Sequence, residues 1–283
     1  MTPLVEVRDL RKTYPIRRNL LGKVVERLTA VAGVSFTIAP GETLGIVGET
    51  GAGKSTVGRM VLRLIEPDSG SVRMFGQDVL ALRGRELRRL RQRAQMIFQD
   101  PFSSLDPRMV IRDAVGEPFT IHHGLRGEER DERVLDLLTR VGMRADHLDR
   151  YPREFSGGQL QRIAIARALA TDPDFIVCDE PVAALDVSIQ AQVLNLLLDL
   201  QEERGIGYLF ISHDLSLVRI LAHRVAVMRQ GEIVEMGPTE QLFSDPQHPY
   251  TRQLIAAIPT PRPRRERART VRLIDSRLQK VEG

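Results

Sequence analysis

An α/β fold on a mostly parallel, buried sheet is predicted for this 283-residue chain, and two observations predict it. Short apolar runs (Leu44-Gly-Ile-Val, Phe175-Ile-Val-Cys, Tyr208-Leu-Phe-Ile, Val225-Ala-Val-Met) alternate with stretches of helical period. Strands read this way when helices cover both sheet faces. A glycine-rich turn, Gly48-Glu49-Thr50-Gly51-Ala52-Gly53-Lys54-Ser55-Thr56, follows the first run and leads into a helical pattern. In that setting bare backbone N–H groups and a helix N-terminus form an anion site.

The elements follow in order. Residues 1–40 alternate apolar and polar at Leu4-Val-Glu-Val and Val34-Ser-Phe-Thr-Ile, which predicts strands joined by a basic loop over 17–27. Val57, Met60, Val61 and Leu64 recur at i, i+3, i+4 and i+7, a helix packed on the preceding strand and closed by Glu66-Pro-Asp-Ser-Gly. The Arg-rich stretch 83–93, around Leu87 and Leu90, reads as the exposed face of a helix. Residues 100–155 are polar and helical, punctuated by Pro101, Pro107, Pro118 and Pro152, and read as a separate helical subdomain. Alternation then resumes. Helix 159–170 is expected to be amphipathic, with Ile163, Ala166 and Leu169 on one side. Helix 188–204, a short helix over 215–222, a turn at Arg229-Gln-Gly-Glu and a strand over 233–236 follow. The Pro/Arg-rich stretch 259–272 lacks an apolar face and is expected to be disordered.

Composition excludes several classes. No run approaches the roughly 18–20 apolar residues of a membrane-spanning helix. The N-terminus carries no basic segment followed by an apolar one, so no signal peptide is expected. A lone cysteine, Cys178, excludes an internal disulfide and a cysteine-held metal cluster. The net charge is +4, of which the tail from Pro261 carries +5, leaving the body near −1. The body is therefore no nucleic-acid surface on charge.

Gly48-x-x-x-x-Gly53-Lys54-Ser55 matches the P-loop. Its glycines let backbone N–H groups wrap phosphates, Lys54 reaches the β/γ oxygens, and the Ser55 hydroxyl suits Mg²⁺. Asp179 and Glu180 end an apolar strand. A carboxylate there can hold Mg²⁺ through water, which suits Asp179, and the next can orient and deprotonate an attacking water, which suits Glu180. Ser156-Gly157-Gly158-Gln159, after Phe155, is a second glycine turn entering a helix. One nucleotide does not need two cradles from one subunit, so each cradle is expected to serve a nucleotide shared between two subunits.

In this order (P-loop, Ser-Gly-Gly-Gln, Asp-Glu, then His213 after the next strand) the chain resembles the ABC-type ATPases. The resemblance implies a P-loop NTPase with a RecA-like core, an antiparallel β subdomain near 3–40 and 70–80, and an α-helical subdomain near 100–158, within an ATPase domain over 1–258. It implies a Q-loop glutamine at Gln99 that contacts Mg²⁺ and senses the membrane partner. It further implies a D-loop at Ala184-Leu185-Asp186, a switch histidine at His213 holding the γ-phosphate, and an adenine-stacking aromatic at Tyr14. Phe155 stands where the signature more commonly has Leu, and Ala183 where many relatives have Ser. His248-Pro249-Tyr250-Thr251-Arg252-Gln253-Leu254, then Ala256-Ala257-Ile258-Pro259, is similar to the C-terminal extension of oligopeptide/dipeptide importer ATPases, placed here at 237–270 before a basic tail over 262–283. That family also serves nickel and glutathione. Gln159 and the basic insertion at 17–27 resemble the second ("F") of its two ATPase subunits. The resemblance implies ATP and Mg²⁺, a second ATPase subunit in a heterodimer, two permease subunits, an extracytoplasmic binding protein, no nucleic acid, and a peripheral place on the cytoplasmic face of the inner membrane. A non-transport ABC ATPase acting on DNA or ribosomes is the rival. The roughly hundred residues between P-loop and signature leave no room for a long coiled coil, and one cassette replaces the two of translation-type members.

Overall fold

The computed structural model describes residues 2–18, 24–183 and 185–258. Strands β1 (Val5–Arg18), β2 (Val24–Ile38), β3 (Thr43–Val47), β4 (Ser69–Met74), β5 (Gln77–Asp78), β6 (Ala94–Ile97), β7 (Phe175–Asp179), β8 (Gly207–Ser212), β9 (Arg224–Arg229) and β10 (Glu232–Pro238) form two sheets among these residues. The antiparallel sheet runs β2-β1-β4-β5 and the second runs β10-β9-β3-β8-β7-β6, parallel except for β10. Helices are α1 (Lys54–Val61), α2 (Gly84–Arg93), α3 (Ile111–Pro118), α4 (Gly127–Arg140), α5 (Gly157–Leu169), α6 (Val187–Arg204), α7 (Leu215–Leu221), α8 (Thr239–Ser244) and α9 (Pro249–Ala256). No described helix is long and apolar enough to cross a membrane.

Strands β3, β7 and β8 are buried along their whole length, and their side chains alternate between two cores. Leu44, Ile46, Phe175, Val177, Leu209 and Ile211 join Met60 of α1 and Val7 and Val72 of the antiparallel sheet. Ile176, Cys178, Tyr208 and Phe210 face the other way, against Ile163 of α5, Leu197 of α6 and Val218 of α7. Burying a side chain such as Phe210 contributes roughly 1.5–3 kcal/mol. Tyr208 satisfies its buried hydroxyl by donating to the Leu197 carbonyl at 3.1 Å. Burial pushes the Cys178 thiol pKa far up, so this lone cysteine is inert core.

Two expectations need correction. The basic segment 17–27 is not a loop throughout. Arg17 pairs with Glu26 and Arg18 with Val24 in the β1–β2 ladder, and residues 19–23 lie outside the described set. Backbone pairing carries these strands past the apolar alternation, and the opposite charges of Arg17 and Glu26 sit across from each other. Nor is α5 amphipathic. Leu160, Gln161, Ala164, Ile165 and Ala168 are buried along with Ile163, Ala166 and Leu169, because α3 and α4 pack on α5 on one side and β6 lies on another. A helix enclosed in this way needs no polar stripe. The expected disordered stretch 259–272, the basic tail and Ala184 fall outside the described residues.

Asp68 ties β1 to the entry of β4. Its carboxylate accepts from Lys12 Nζ at 2.9 Å, Thr13 N at 2.7 Å and Thr13 Oγ1 at 2.8 Å. The Lys12 bond, with those from Thr13, lowers its pKa from 3.8 to about 2. A depressed carboxylate pKa gives stability that is present above the unfolded value and lost as pH falls through the folded one. The loss therefore falls between pH 3.8 and about 2. In Asp68→Asn, urea midpoints compared at pH 5 and pH 2.5 will fall less than in the parent chain.

Candidate functional site

Each polar group of the cleft follows a parallel strand. The glycine loop follows β3 and Gln99 comes after β6. Asp179 ends β7 with Glu180 next, and His213 follows β8. The order β3-β8-β7-β6 sets these ends side by side, at the carboxyl edge where open α/β sheets bind ligands.

Two glycines give the loop its path. Gly48 has φ 152°, and a Cβ there would lie 2.1 Å from the Met228 carbonyl oxygen. Gly53 has φ 99°, and its Cβ would lie 2.0 Å from the Ala30 carbonyl oxygen. Only glycine fits a backbone this close to its neighbours. The Ala52 N–H donates to the Glu49 carbonyl at 3.2 Å, while Thr50 and Gly51 are exposed at the tip. Lys54 Nζ is drawn under the loop, donating to the Gly48 carbonyl at 2.7 Å and the Glu49 carbonyl at 2.9 Å. Burial lowers its pKa, opposed by Glu180 and Asp179. Ser55 and Thr56 open α1 beside it.

Ser55 Oγ donates to Asp179 Oδ1 at 2.6 Å. Asp179 is 2% exposed, and burial raises its pKa against the Ser55 hydrogen bond and Arg59, whose Nη2 lies 3.9 Å from Oδ2. Glu180 has φ 49°, a left-handed conformation costing a non-glycine residue about 1–2 kcal/mol. Its N–H donates to the Ile211 carbonyl at 3.0 Å. Gln99 Nε2 donates to Glu180 Oε2 at 2.9 Å, and His213 Nδ1 lies 3.2 Å from the same oxygen. Gln99, Glu180 and His213 are thus one cluster, and Ser55 and Asp179 another beside it.

No group of three or more His, Cys, Asp or Glu able to hold a metal occurs among the described residues. One hydroxyl and one carboxylate 2.6 Å apart nonetheless fit Mg²⁺, which binds through one or two carboxylates, waters and the phosphates of its nucleotide.

Ser156 caps α5. Its N–H donates to Gln159 Oε1 at 3.0 Å and its hydroxyl accepts from the Gln159 N–H at 3.4 Å, a reciprocal capping box. These bonds stay within their own turn, and a Cβ on Gly157 would meet nothing within 4 Å. Asp186 caps α6 by accepting from the Ile189 N–H at 3.0 Å. Tyr14 lies on β1 opposite Leu28, with Lys12 Nζ 5.8 Å from its ring centroid. Among the described residues no hydrogen bond joins Tyr14, Ser156 or Asp186 to the phosphate loop. Two contacts escape the sequence reading. Arg59 could have been found, because it lies four residues after Ser55 on one helix face. Tyr250 lies about two hundred residues from the loop, yet its hydroxyl accepts from the Glu49 N–H at 3.2 Å.

A family model described as ABC transporter matches residues 31–183, and one described as the oligopeptide/dipeptide transporter C-terminal region matches residues 234–282. The glutathione import ATP-binding protein GsiA of Pectobacterium atrosepticum is 50% identical over 273 residues, covering 96% of this chain and 44% of that protein. Its namesake from Escherichia coli K12 is 52% identical with the same coverage. The chain therefore spans less than half the length of these curated relatives. Among solved structures, the dimeric ATP-binding cassette MJ0796 in a post-hydrolysis state with ADP and Pi is similar at TM-score 0.75 and 30% identity, covering 83% of this chain and 98% of that one. The cbiO1 subunit of the cbiONQ ABC transporter complex from Clostridium perfringens follows at TM-score 0.72 and 26% identity, covering 87% and 92%.

Substituting Ser156→Ala removes the hydroxyl half of the capping box, with an expected loss of about 1 kcal/mol, measurable as a lower urea midpoint at unchanged slope.

Proposed function

This chain belongs to the ABC transporter ATPase family, and from that premise we propose that it binds and hydrolyses ATP to power uptake of peptides. The carrying observation is the cluster in which Gln99 and His213 converge on one oxygen of Glu180 beside the phosphate loop. Glutathione, itself a tripeptide, is the first substrate to test, because the curated relatives are named as glutathione import proteins.

In this reading ATP lies on the loop with Tyr14 stacked on its adenine. Residues 48–56 surround the phosphates, and Lys54 turns from the Gly48 and Glu49 carbonyls to the β/γ oxygens. A polyanion there favours the charged form of Lys54 that burial disfavours. Ser55 and Asp179, with Gln99 alongside, would hold Mg²⁺, which neutralises phosphate charge when bound. Glu180 accepts a proton from water as its oxygen attacks the γ-phosphorus and the bond to the β-phosphate oxygen breaks, leaving ADP with the electron pair. Gln99 and His213 hold that carboxylate in line, so the work is positioning and charge stabilisation.

The signature turn supplies the second half. The partner subunit's equivalent of the Ser156–Gln159 turn caps the γ-phosphate held here, this chain's Ser156 and its glycines cap the partner's, and Asp186 lines the same seam. The dimeric MJ0796 structures support such a pairing. A second ATPase subunit, two permeases and an extracytoplasmic binding protein complete the machine, with this chain on the inner face of the membrane. Closing and opening reach the permeases through residues 99–113 and the helical subdomain over 100–158.

In the assembled complex, Glu180→Gln is expected to bind ATP normally while turnover falls about 100-fold or more; a phosphate-release rate equal to the parent's removes Glu180 as the base. Ser156→Arg should leave ATP binding by the isolated subunit intact and abolish hydrolysis by the complex. Loss of binding in the isolated subunit would show that the turn serves its own loop.

A further inference from the structure

The C-terminal extension reaches the phosphate loop and has no part in the chemistry above. Its second helix, α9, is capped by His248 and begins at Pro249-Tyr250. His248 Nδ1 accepts from the Tyr250 N–H at 3.2 Å, and Pro249 in the first turn supplies the fixed φ suited to a helix start. This local structure aims Tyr250 inward. The residue is 3% exposed, its hydroxyl takes the Glu49 N–H at 3.2 Å, and the Arg229 guanidinium lies 4.8 Å from its ring centroid.

The same segment is clasped to β10, and the turn that leads into β10 touches the loop again. Glu235 accepts from the backbone N–H groups of Gln247 at 2.8 Å and His248 at 2.9 Å. Four residues earlier, the Gly231 N–H donates to the Ala52 carbonyl at 3.1 Å. Residues 229–250 therefore hold both limbs of the loop, Glu49 on one side of its tip and Ala52 on the other. A phosphate cradle works only while its N–H groups stay aimed, so whatever holds its limbs contributes to affinity.

We infer that Tyr250 is a positioning residue through which the C-terminal extension sets the nucleotide affinity of the phosphate loop. The inference rests on the nucleotide-site reading above. Coupling of this kind is reciprocal: if α9 tightens the loop for nucleotide, nucleotide must tighten α9.

The test uses the full chain and calorimetric titration with ADP and a non-hydrolysable ATP analogue. Tyr250→Phe keeps the ring and removes only the hydroxyl, and Kd is expected to rise about three- to tenfold, the scale of one lost hydrogen bond. Glu235→Gln leaves Tyr250 in place but weakens the clasp on 247–248, and should move Kd the same way. Amide exchange over 249–256 should slow when nucleotide binds the parent chain and change little in Tyr250→Phe. A Tyr250→Phe chain that melts earlier but binds with the parent's Kd, or whose α9 exchange responds to nucleotide as the parent's does, overturns the inference whatever Glu235→Gln shows. Failure of the parent chain to bind nucleotide would instead defeat the nucleotide-site reading itself.

Discussion

The hydrogen bond from Ser55 to Asp179 joins the two halves of the cleft, and its length depends on the sheet beneath it. Ser55 belongs to the helix leaving β3, and Asp179 is the last residue of β7, with β8 between the two strands. Both cores must therefore be filled for these groups to meet. A shift of β7 by one residue would turn Cys178 and Val177 to the wrong faces and withdraw the carboxylate from the edge. Precision at the site follows from apolar packing well below it.

Much of this was legible in the sequence because the relevant signals are local. Apolar runs buried on both faces, the glycine loop, and a polar residue just past each strand end place Gln99, Asp179, Glu180 and His213 at one edge once a parallel sheet is accepted. What remained hidden depends on distant partners. The enclosure of α5 follows from helices α3 and α4, whose packing no local period shows. The length of the β1–β2 hairpin follows from cross-strand pairing through charged residues that resemble a loop in composition. Tyr250 is invisible for the same reason, since nothing near it in sequence points to Glu49.

The signature turn shows how one short sequence can be complete in one sense and open in another. Within the chain, Ser156 and Gln159 satisfy each other, so two of the donors at this helix start are paired. Among the described residues, nothing beyond its chain neighbours lies within 4 Å of where a Cβ on the neighbouring Gly157 would sit. A cap stable on its own can wait, already shaped, for a second surface.

The left-handed backbone at Glu180 has its own consequence. A glycine there would relax the turn, and an asparagine would tolerate it better than glutamate does. Both would also erase the carboxylate that Gln99 and His213 hold. On the proposal that Glu180 is the base, screens that reward heat resistance and screens that reward turnover select opposite residues at position 180, so that thermal tolerance and catalytic power compete at a single codon.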